Sequence, residues 1–200
     1  MDTAVITTGC RRTTVTVLFV DIVGFTALID DLDCADVRDL QRDYFDVVSA
    51  VVRLGGGVVE KYIGDAVMAV FGALEGDGLD TAAAAGVRAG MEVQDALRGR
   101  RLAGRFPVRT RVGVATGDVI IDLDATRDGG YGMVSGSVVN TAARLQAYAP
   151  HDTVVVDART RQVTDELIAY QEMPPVAVAG KPNPLDLWRA LHPQAALCRA

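Results

Sequence analysis

The stretch VTVLFV, from Val15 to Val20, constrains the fold most, because it is apolar at every position except Thr16. A strand with one face in water alternates apolar and polar residues, whereas a strand covered on both faces reads as a nearly continuous apolar run. We therefore predict a central strand. It is followed at once by a carboxylate, Asp21, and by a glycine-containing loop, Ile22–Thr26.

Helical patterns surround this strand. Residues 35–54 carry apolar side chains at helical spacing and are followed by three glycines, which predicts an amphipathic helix with a defined end. Residues 81–97 and 137–149 predict two further helices. The late segments TVVVD and LDLWRAL predict two strands around a short helix.

Two segments predict β-hairpins, because each places a Gly-Asp pair between apolar runs. The first covers residues 58–72 and turns at Gly64-Asp65, and the second covers residues 108–121 and turns at Gly117-Asp118. The order strand, helix, hairpin, helix, hairpin predicts an α+β fold with one mostly antiparallel sheet and helices packed on a face.

Composition excludes several function classes. The chain has 200 residues and a net charge of −6, with no basic stretch to follow a phosphate backbone, so we expect no nucleic-acid partner. Three scattered cysteines favour a reducing, cytoplasmic setting. No apolar run approaches the roughly 20 residues that cross a bilayer, so no direct membrane span is expected. We predict a leader over residues 1–13, one domain over 14–191 and a tail over 192–200.

Two carboxylates are candidates for a metal site. Asp21 ends the first strand and Asp65 lies at the tip of the first hairpin, so neighbouring strands would bring both to one edge of the sheet. Like charges in proximity are unfavourable unless a cation lies between them, and hard oxygen ligands favour Mg²⁺ or Mn²⁺. The alternative is ordinary: an Asp after a strand often caps a helix, and Gly-Asp is a common turn.

Four motifs then resemble, in order, the catalytic domain of the class III nucleotidyl cyclases. They are LFVDIVGFT, GGVVEKYIGDAVMAVFG, RVGVATGDV and GSVVNTAARLQAYAP, and the resemblance covers residues 13–191. It is nearest to bacterial, particularly actinobacterial, members. It implies a ferredoxin-like βαββαβ core and an adenylate cyclase that converts ATP to 3′,5′-cyclic AMP and pyrophosphate. The active unit would be a homodimer with composite sites at its interface.

The resemblance also implies a role for each matching residue. Asp21 and Asp65, with the Ile22 backbone, would hold two Mg²⁺ or Mn²⁺ ions. The triphosphate would be bound by the backbone of Ile22–Thr26, and Arg111 would lie near the phosphates. That loop consists of Ile22, Val23, Gly24, Phe25 and Thr26.

The other protomer would supply two residues of one helix. Asn140 would position the ribose, and Arg144 would stabilise the pentavalent phosphorus. They are four residues apart and so share a helix face. Lys61 matches the residue that selects adenine, where guanine-specific members carry Glu. Taken singly, a side chain of each of these types is more often a solvated surface residue than a functional one.

Three departures from the family pattern leave alternatives open. Met133 stands where many members carry an Asp or Thr that helps to select adenine, and Ala179 replaces the first lysine of a KGK motif, which leaves Lys181 to contact phosphate. Ser137 replaces a common acidic residue. The alternatives are a cyclase with relaxed ATP/GTP preference, or a weakly active or inactive domain that binds nucleotide.

Overall fold

Fifteen helices and strands are formed by the residues that the computed structural model describes, which are 9–73, 78–122, 134–177 and 184–192. In chain order they are β1 Cys10–Ile22, α1 Phe25–Ile29, α2 Cys34–Leu54, β2 Val58–Ile63, β3 Ala66–Phe71, α3 Leu79–Leu97, β4 Arg101–Leu102, β5 Phe106–Pro107, β6 Thr110–Asp122, β7 Val134–Ser135, α4 Ser137–Tyr148, β8 Thr153–Val156, α5 Ala158–Thr164, β9 Tyr170–Val176 and β10 Leu185–Ala190.

The main sheet has the strand order β2-β3-β1-β6-β8-β10-β9, with β7 paired to β6. Strand β1 lies between β3 and β6 and is antiparallel to both. Among the described residues, only the pair β6 and β8 is parallel. The succession β1-α2-β2-β3-α3-β6, with β1 and β3 inside, is the expected βαββαβ unit. The mixed α+β fold with a mostly antiparallel sheet is therefore confirmed.

Helices cover both faces of the sheet, which differs from the expectation of a single covered face. Val15, Val17 and Phe19 of β1 belong to a core cluster with α4. Leu18 and Val20 point the other way and pack in a second cluster with α2 and α3. This is why the first strand reads as apolar on both faces.

The second predicted hairpin is wrong, because residues 110–122 form one continuous strand, β6. Gly117 and Asp118 pair with Val15 and Thr14 of β1 in an unbroken register. Gly117 is needed for space, since a Cβ there would lie 2.8 Å from the Cβ of Val138 on α4. Asp118 is an exposed strand residue that accepts a hydrogen bond from Thr14 Oγ1 at 2.7 Å.

Two further boundaries were missed. Strand β1 begins at Cys10, so it extends four residues into the predicted leader. The polar residues Arg11, Arg12 and Thr13 interrupt the apolar pattern that would have indicated a strand there. Strand β9 was not predicted because it contains Pro174 and Pro175. Proline donates no backbone hydrogen bond and is confined to edge strands, and β9 is the outermost strand of the sheet.

Candidate active site

The structure brings Asp21 and Asp65 together, as their positions in the sequence predict. Asp21 is the penultimate residue of β1, and Asp65 lies in the two-residue turn between β2 and β3, where Gly64 adopts a φ of 65°. Antiparallel pairing of β1 with β3 places this turn beside the end of β1. The Ile22 amide donates a hydrogen bond to Asp65 Oδ2 at 3.1 Å, which holds the second carboxylate against the strand.

The environment of Asp21 opposes its negative charge. Burial, a hydrogen bond shared with the Asp65 carboxyl and the charge of Asp65 raise the pKa of Asp21 from 3.8 to about 7. Two groups act in the other direction. Gln146 Nε2 donates to Asp21 Oδ2 at 3.0 Å, and the positive charge of Arg111 favours the ionised form. The carboxylate pair is thus short of positive charge in the protein alone.

These residues fit a divalent cation. The Asp21 carboxylate is partly buried beside that of Asp65, so a cation between them would relieve their repulsion. No cluster of three or more His, Cys, Asp or Glu with metal-binding geometry occurs within residues 9–73, 78–122, 134–177 and 184–192. A bound Mg²⁺ or Mn²⁺ would therefore need further oxygen ligands from the backbone, water or a phosphate.

The residues of the loop after β1 differ in whether their backbone amides are free to bind a ligand. The amides of Ile22 and Val23 are already used, since Ile22 donates to Asp65 and the Val23 amide donates to the Arg109 carbonyl at 2.8 Å. Gly24, Phe25 and Thr26 stand at the start of α1, where backbone N–H groups have no acceptor within the helix. The Phe25 side chain is buried in the core, whereas Thr26 is exposed. The phosphate-binding role of this loop stays a prediction, and Gly24–Thr26 are the part of it with amides to offer.

Arg111 lies beside the carboxylate pair. It pairs directly with Asp21 across β1 and β6, and its Nη2 lies 3.2 Å from His151 Nε2. Its Nε is buried without a hydrogen-bond partner in the described part of the chain. A permanently charged guanidinium at this place can bind a phosphate that also contacts a cation at Asp21.

Asn140 and Arg144 lie on α4 but do not face the carboxylates of their own chain. At 100° per residue, Gln146 is about 160° from Arg144 and about 120° from Asn140 by the shorter way around the helix axis. Gln146 points to Asp21, so the two predicted residues lie on the part of α4 that is turned away from this carboxylate, where Asn140 is exposed and Arg144 is half-buried. One chain thus presents its carboxylates and its Asn140 and Arg144 in different directions.

Lys61 lies on β2, the edge strand of the sheet at this end. Its Nζ lies 3.2 Å from Glu60 Oε2, and it lines an open cavity of about 500 Å³ together with Arg53 and Tyr62. This surface is separate from the turn that carries Asp65. Met133 and Lys181, the remaining predicted site residues, lie outside the described residues, as does Ala179.

Two residues of the site were missed in the sequence. Gln146 and Tyr44 are both buried; Gln146 donates to Asp21, and Tyr44 lies within the electrostatic influence of both carboxylates. Burial and the charges of Asp21 and Asp65 raise the pKa of Tyr44 well above its usual value. Each looks like an ordinary core position of an amphipathic helix, and only the packing of α2 and α4 against β1 reveals the neighbouring carboxylates.

Comparison with known proteins shows the family of the chain. The family model described as the adenylate and guanylate cyclase catalytic domain matches residues 10–189. An uncharacterized protein of Rhizobium meliloti is 32% identical over 185 residues, which are 92% of this chain and 18% of that protein. Adenylate cyclase 1 of the same organism is 24% identical over 186 residues, which are 90% of this chain and 28% of that protein. The chain spans about a fifth of the length of the first curated relatives, 18% and 23%.

Solved structures of both nucleotide specificities resemble the fold. The adenylyl cyclase CyaB from P. aeruginosa has a TM-score of 0.79 and 25% identity, and the alignment covers 92% of this chain and 96% of that one. The guanylyl cyclase Cya2 also has a TM-score of 0.79 and 25% identity, with 91% and 93% covered. Among the helices of the described residues, none has the length and hydropathy needed to cross a membrane.

Proposed function

The chain belongs to the family of adenylate and guanylate cyclase catalytic domains, and on this premise we propose that it is an adenylate cyclase that acts as a homodimer. It would convert ATP to 3′,5′-cyclic AMP and pyrophosphate by in-line attack of the ribose 3′-OH on the α-phosphate. The observation that carries the proposal is the pair Asp21 and Asp65, held together at the edge of the sheet with too little positive charge around it.

Asp21 and Asp65 would hold two Mg²⁺ or Mn²⁺ ions, with the Ile22 carbonyl as a further ligand. Bound there, the metal ions would lower the pKa of the attacking hydroxyl and neutralise the leaving pyrophosphate. Arg111, next to Asp21 in the sheet, would bind a phosphate oxygen of the same substrate. The amides of Gly24 to Thr26 would complete the phosphate site.

The remaining residues would come from the partner subunit. Arg144 donates to the α-phosphate oxygens, on which negative charge grows during attack, and a planar guanidinium is well matched to this charge. Asn140 orients the ribose. Their orientation away from the carboxylates of the same chain supports a site assembled from two subunits, because one chain cannot aim both sets at one ATP.

Exposed apolar side chains around β2 support a partner on this side of the molecule. Leu54 is 86% exposed and Ile63 is 53% exposed, and Tyr62 beside them is also exposed. Leu54 is the last residue of α2 and Ile63 the last residue of β2, and a partner packed against this side of the molecule would remove both side chains from water. A second copy covering it would also close the open cavity beside Lys61.

The choice of ATP over GTP rests on Lys61. A lysine ammonium can donate to ring nitrogens of adenine, which are acceptors, whereas recognition of guanine at N1 and N2 requires an acceptor such as Glu. Glu60 lies next to Lys61, so GTP turnover is the competing outcome of the test.

The test measures cyclic AMP and cyclic GMP formed from ATP and GTP, each with Mg²⁺ and with Mn²⁺, over a range of protein concentrations. Cyclic AMP that rises faster than linearly with protein supports a dimeric adenylate cyclase. Cyclic GMP as the main product overturns the assignment to ATP. Absence of product from folded protein favours a domain that binds nucleotide without turnover.

A second experiment tests the composite site. Asp21→Ala and Arg144→Ala chains are each expected to be inactive, and mixing them restores one intact site in each mixed dimer. Random pairing in a two-fold dimer predicts about a quarter of wild-type activity. No recovery on mixing, with dimers present, would contradict a site shared between subunits.

A further inference from the structure

Helix α4 covers the face of β1 from which Asp21 projects. Val17 and Phe19 lie in the core cluster that includes α4, and side chains alternate along a strand, so Asp21 lies on the same face. Gln146, only 9% exposed, reaches Asp21 from this helix. The buried Gln146 side chain therefore reaches a half-buried carboxylate at the border of the interface between α4 and the sheet.

The backbone of α4 is fixed at this point by Gly113 of β6. A Cβ at Gly113 would collide with the Gln146 amide nitrogen and the Ala142 carbonyl oxygen. Because glycine stands there, the helix backbone lies directly on the strand, two residues after Arg111, and Gly113 itself pairs with Phe19, two residues before Asp21 on β1. The Gln146 side chain thus starts from a fixed backbone position, which restricts the directions in which its amide can point.

The contact has one chemical direction. An ionised carboxylate only accepts hydrogen bonds, so the Gln146 amide donates, and it occupies Oδ2 of Asp21 at 3.0 Å. A donor to one oxygen fixes the rotation of the carboxylate and leaves its remaining lone pairs in a defined direction. Such partners of metal-binding carboxylates orient the ligand, and their loss typically weakens metal affinity or activity by about 10–100-fold.

We propose that Gln146 is a positioning residue for the Asp21 carboxylate of its own chain, so that α4 serves two catalytic sites of the dimer at once. The inference rests on the proposed function. Gln146 orients the carboxylate of the site on its own subunit. Asn140 and Arg144, on the part of the same helix that is turned away from this carboxylate, act in the other site.

The first test measures Mn²⁺ binding directly, by electron paramagnetic resonance of the free ion, with and without 3′-deoxy-ATP, which lacks the attacking hydroxyl. Gln146→Met keeps the size of the side chain and removes the donor, and it is expected to weaken Mn²⁺ binding by about 10–100-fold. Gln146→Leu is a second variant of this kind. Gln94→Met is the matched control, because Gln94 is a glutamine equally buried, on α3, with its Nε2 unpaired within the described residues.

The outcomes separate this inference from the proposed function. If wild-type protein binds Mn²⁺ and folded Gln146→Met binds it equally well, the positioning role is overturned while the metal site stands. If Gln94→Met weakens binding as much as Gln146→Met, the effect is a general consequence of core substitution and the inference fails. Wild-type protein that binds no Mn²⁺ would instead overturn the metal-dependent function, with Asp65→Ala as the control lacking a ligand.

The second test places the same substitution on one or the other chain of the mixed dimer. In the mixture of Asp21→Ala and Arg144→Ala chains, the working site takes its carboxylates from the Arg144→Ala chain. Gln146→Met added to the Arg144→Ala chain is expected to raise the Mn²⁺ concentration needed for half-maximal rate by about 10–100-fold. Added to the Asp21→Ala chain, which supplies Arg144, it is expected to change nothing. An equal effect in both arrangements, or an effect only in the second, would overturn action within one chain.

Discussion

Two aspartates with raised pKa values, Asp21 and Asp157, differ in how the protein treats them. Burial raises the pKa of both. Asp157, the N-cap of α5, accepts from the Thr160 amide at 3.0 Å, from Thr160 Oγ1 at 2.6 Å and from the Thr116 amide at 3.4 Å. Asp21 accepts from Gln146 and faces a second carboxylate. The protein supplies Asp157 with hydrogen-bond donors, whereas it places Asp21 beside a second carboxylate.

The polar groups around Asp157 and around Asp21 differ in the same way. The Thr160 hydroxyl belongs to a buried chain of hydroxyl groups. Its Oγ1 lies 2.9 Å from Thr116 Oγ1, which in turn lies 2.9 Å from Thr16 Oγ1. Beside Asp21 and Asp65, the buried Tyr44 hydroxyl has no partner in the described part of the chain. Saturated polar networks stabilise a fold, whereas an unsaturated one costs stability and is expected where a ligand completes it. This comparison indicates a structural role for Asp157, and it is a reason for proposing a functional role for Asp21.

The largest expected effect is on activity at the unsaturated aspartate. On the proposed function, Asp21→Asn should lower cyclic nucleotide formation by about 100-fold or more, because it would weaken the binding of metal ions that act directly on the reacting phosphates. Steady-state assays with saturating Mn²⁺ measure it, and circular dichroism should show an unchanged fold. Retention of most of the activity would remove Asp21 from the metal site.

The next effect is on stability at the saturated aspartate. Asp157→Ala leaves the buried Thr160 hydroxyl and amide without their acceptor and removes a helix cap, so the free energy of unfolding should fall by about 2–4 kcal/mol. Urea denaturation measures the change. Asp118→Ala is the matched control: its carboxylate is an exposed partner of Arg12 and Arg159, and surface ion pairs contribute about 1 kcal/mol or less. Equal losses in both variants would contradict a special role for the Asp157 network.

The sequence predicts the parts of this arrangement that depend on local pattern. The helices over residues 34–54, 79–97 and 137–148 follow from apolar spacing, and the first hairpin follows from its Gly-Asp turn. The same pair at Gly117-Asp118 is misleading, because glycine there makes room for Val138, a contact that no local pattern contains. The proximity of Asp21 and Asp65 could be predicted, because it follows from the order of the strands in the sheet. Gln146 could not, because its contact spans 125 residues.

The comparison also predicts how stability depends on pH without metal. The pKa of Asp21 is raised from 3.8 to about 7 on folding, so the folded state holds this proton more tightly. Its contribution to stability is complete below about pH 4 and is lost as the pH rises through 7. Asp21→Asn keeps residue 21 neutral at every pH, so the stability of this variant relative to wild type should be equal near pH 4 and higher at pH 8. After discounting for the solvent-exposed part of the carboxyl, the gain should be about 1–2 kcal/mol.

Thermal denaturation in EDTA at both pH values measures this difference. A gain of this size corresponds to about 2–8 °C in the melting temperature for a chain of this length. Mn²⁺ should stabilise the wild-type protein at pH 8 and have much less effect on Asp21→Asn. Equal stability of the two proteins at pH 8 would mean that neither burial nor the neighbouring Asp65 makes the Asp21 charge costly in the folded state.

The smallest effect is at the two tyrosines that accompany these aspartates. Tyr44→Phe removes a buried hydroxyl without a partner and should raise the free energy of unfolding by about 0.5–1 kcal/mol. Tyr170→Phe removes a hydroxyl that lies 2.6 Å from Thr164 Oγ1, next to the Asp157 network, and should lower it by about 1 kcal/mol. Burial is the main reason that the pKa of Tyr170 is raised to about 12, so both phenols are neutral throughout the measurement. The same substitution, Tyr to Phe, should thus change the free energy of unfolding in opposite directions at the two sites. If Tyr44→Phe instead lost as much stability as Tyr170→Phe, the Tyr44 hydroxyl would already have a hydrogen-bond partner in the folded protein.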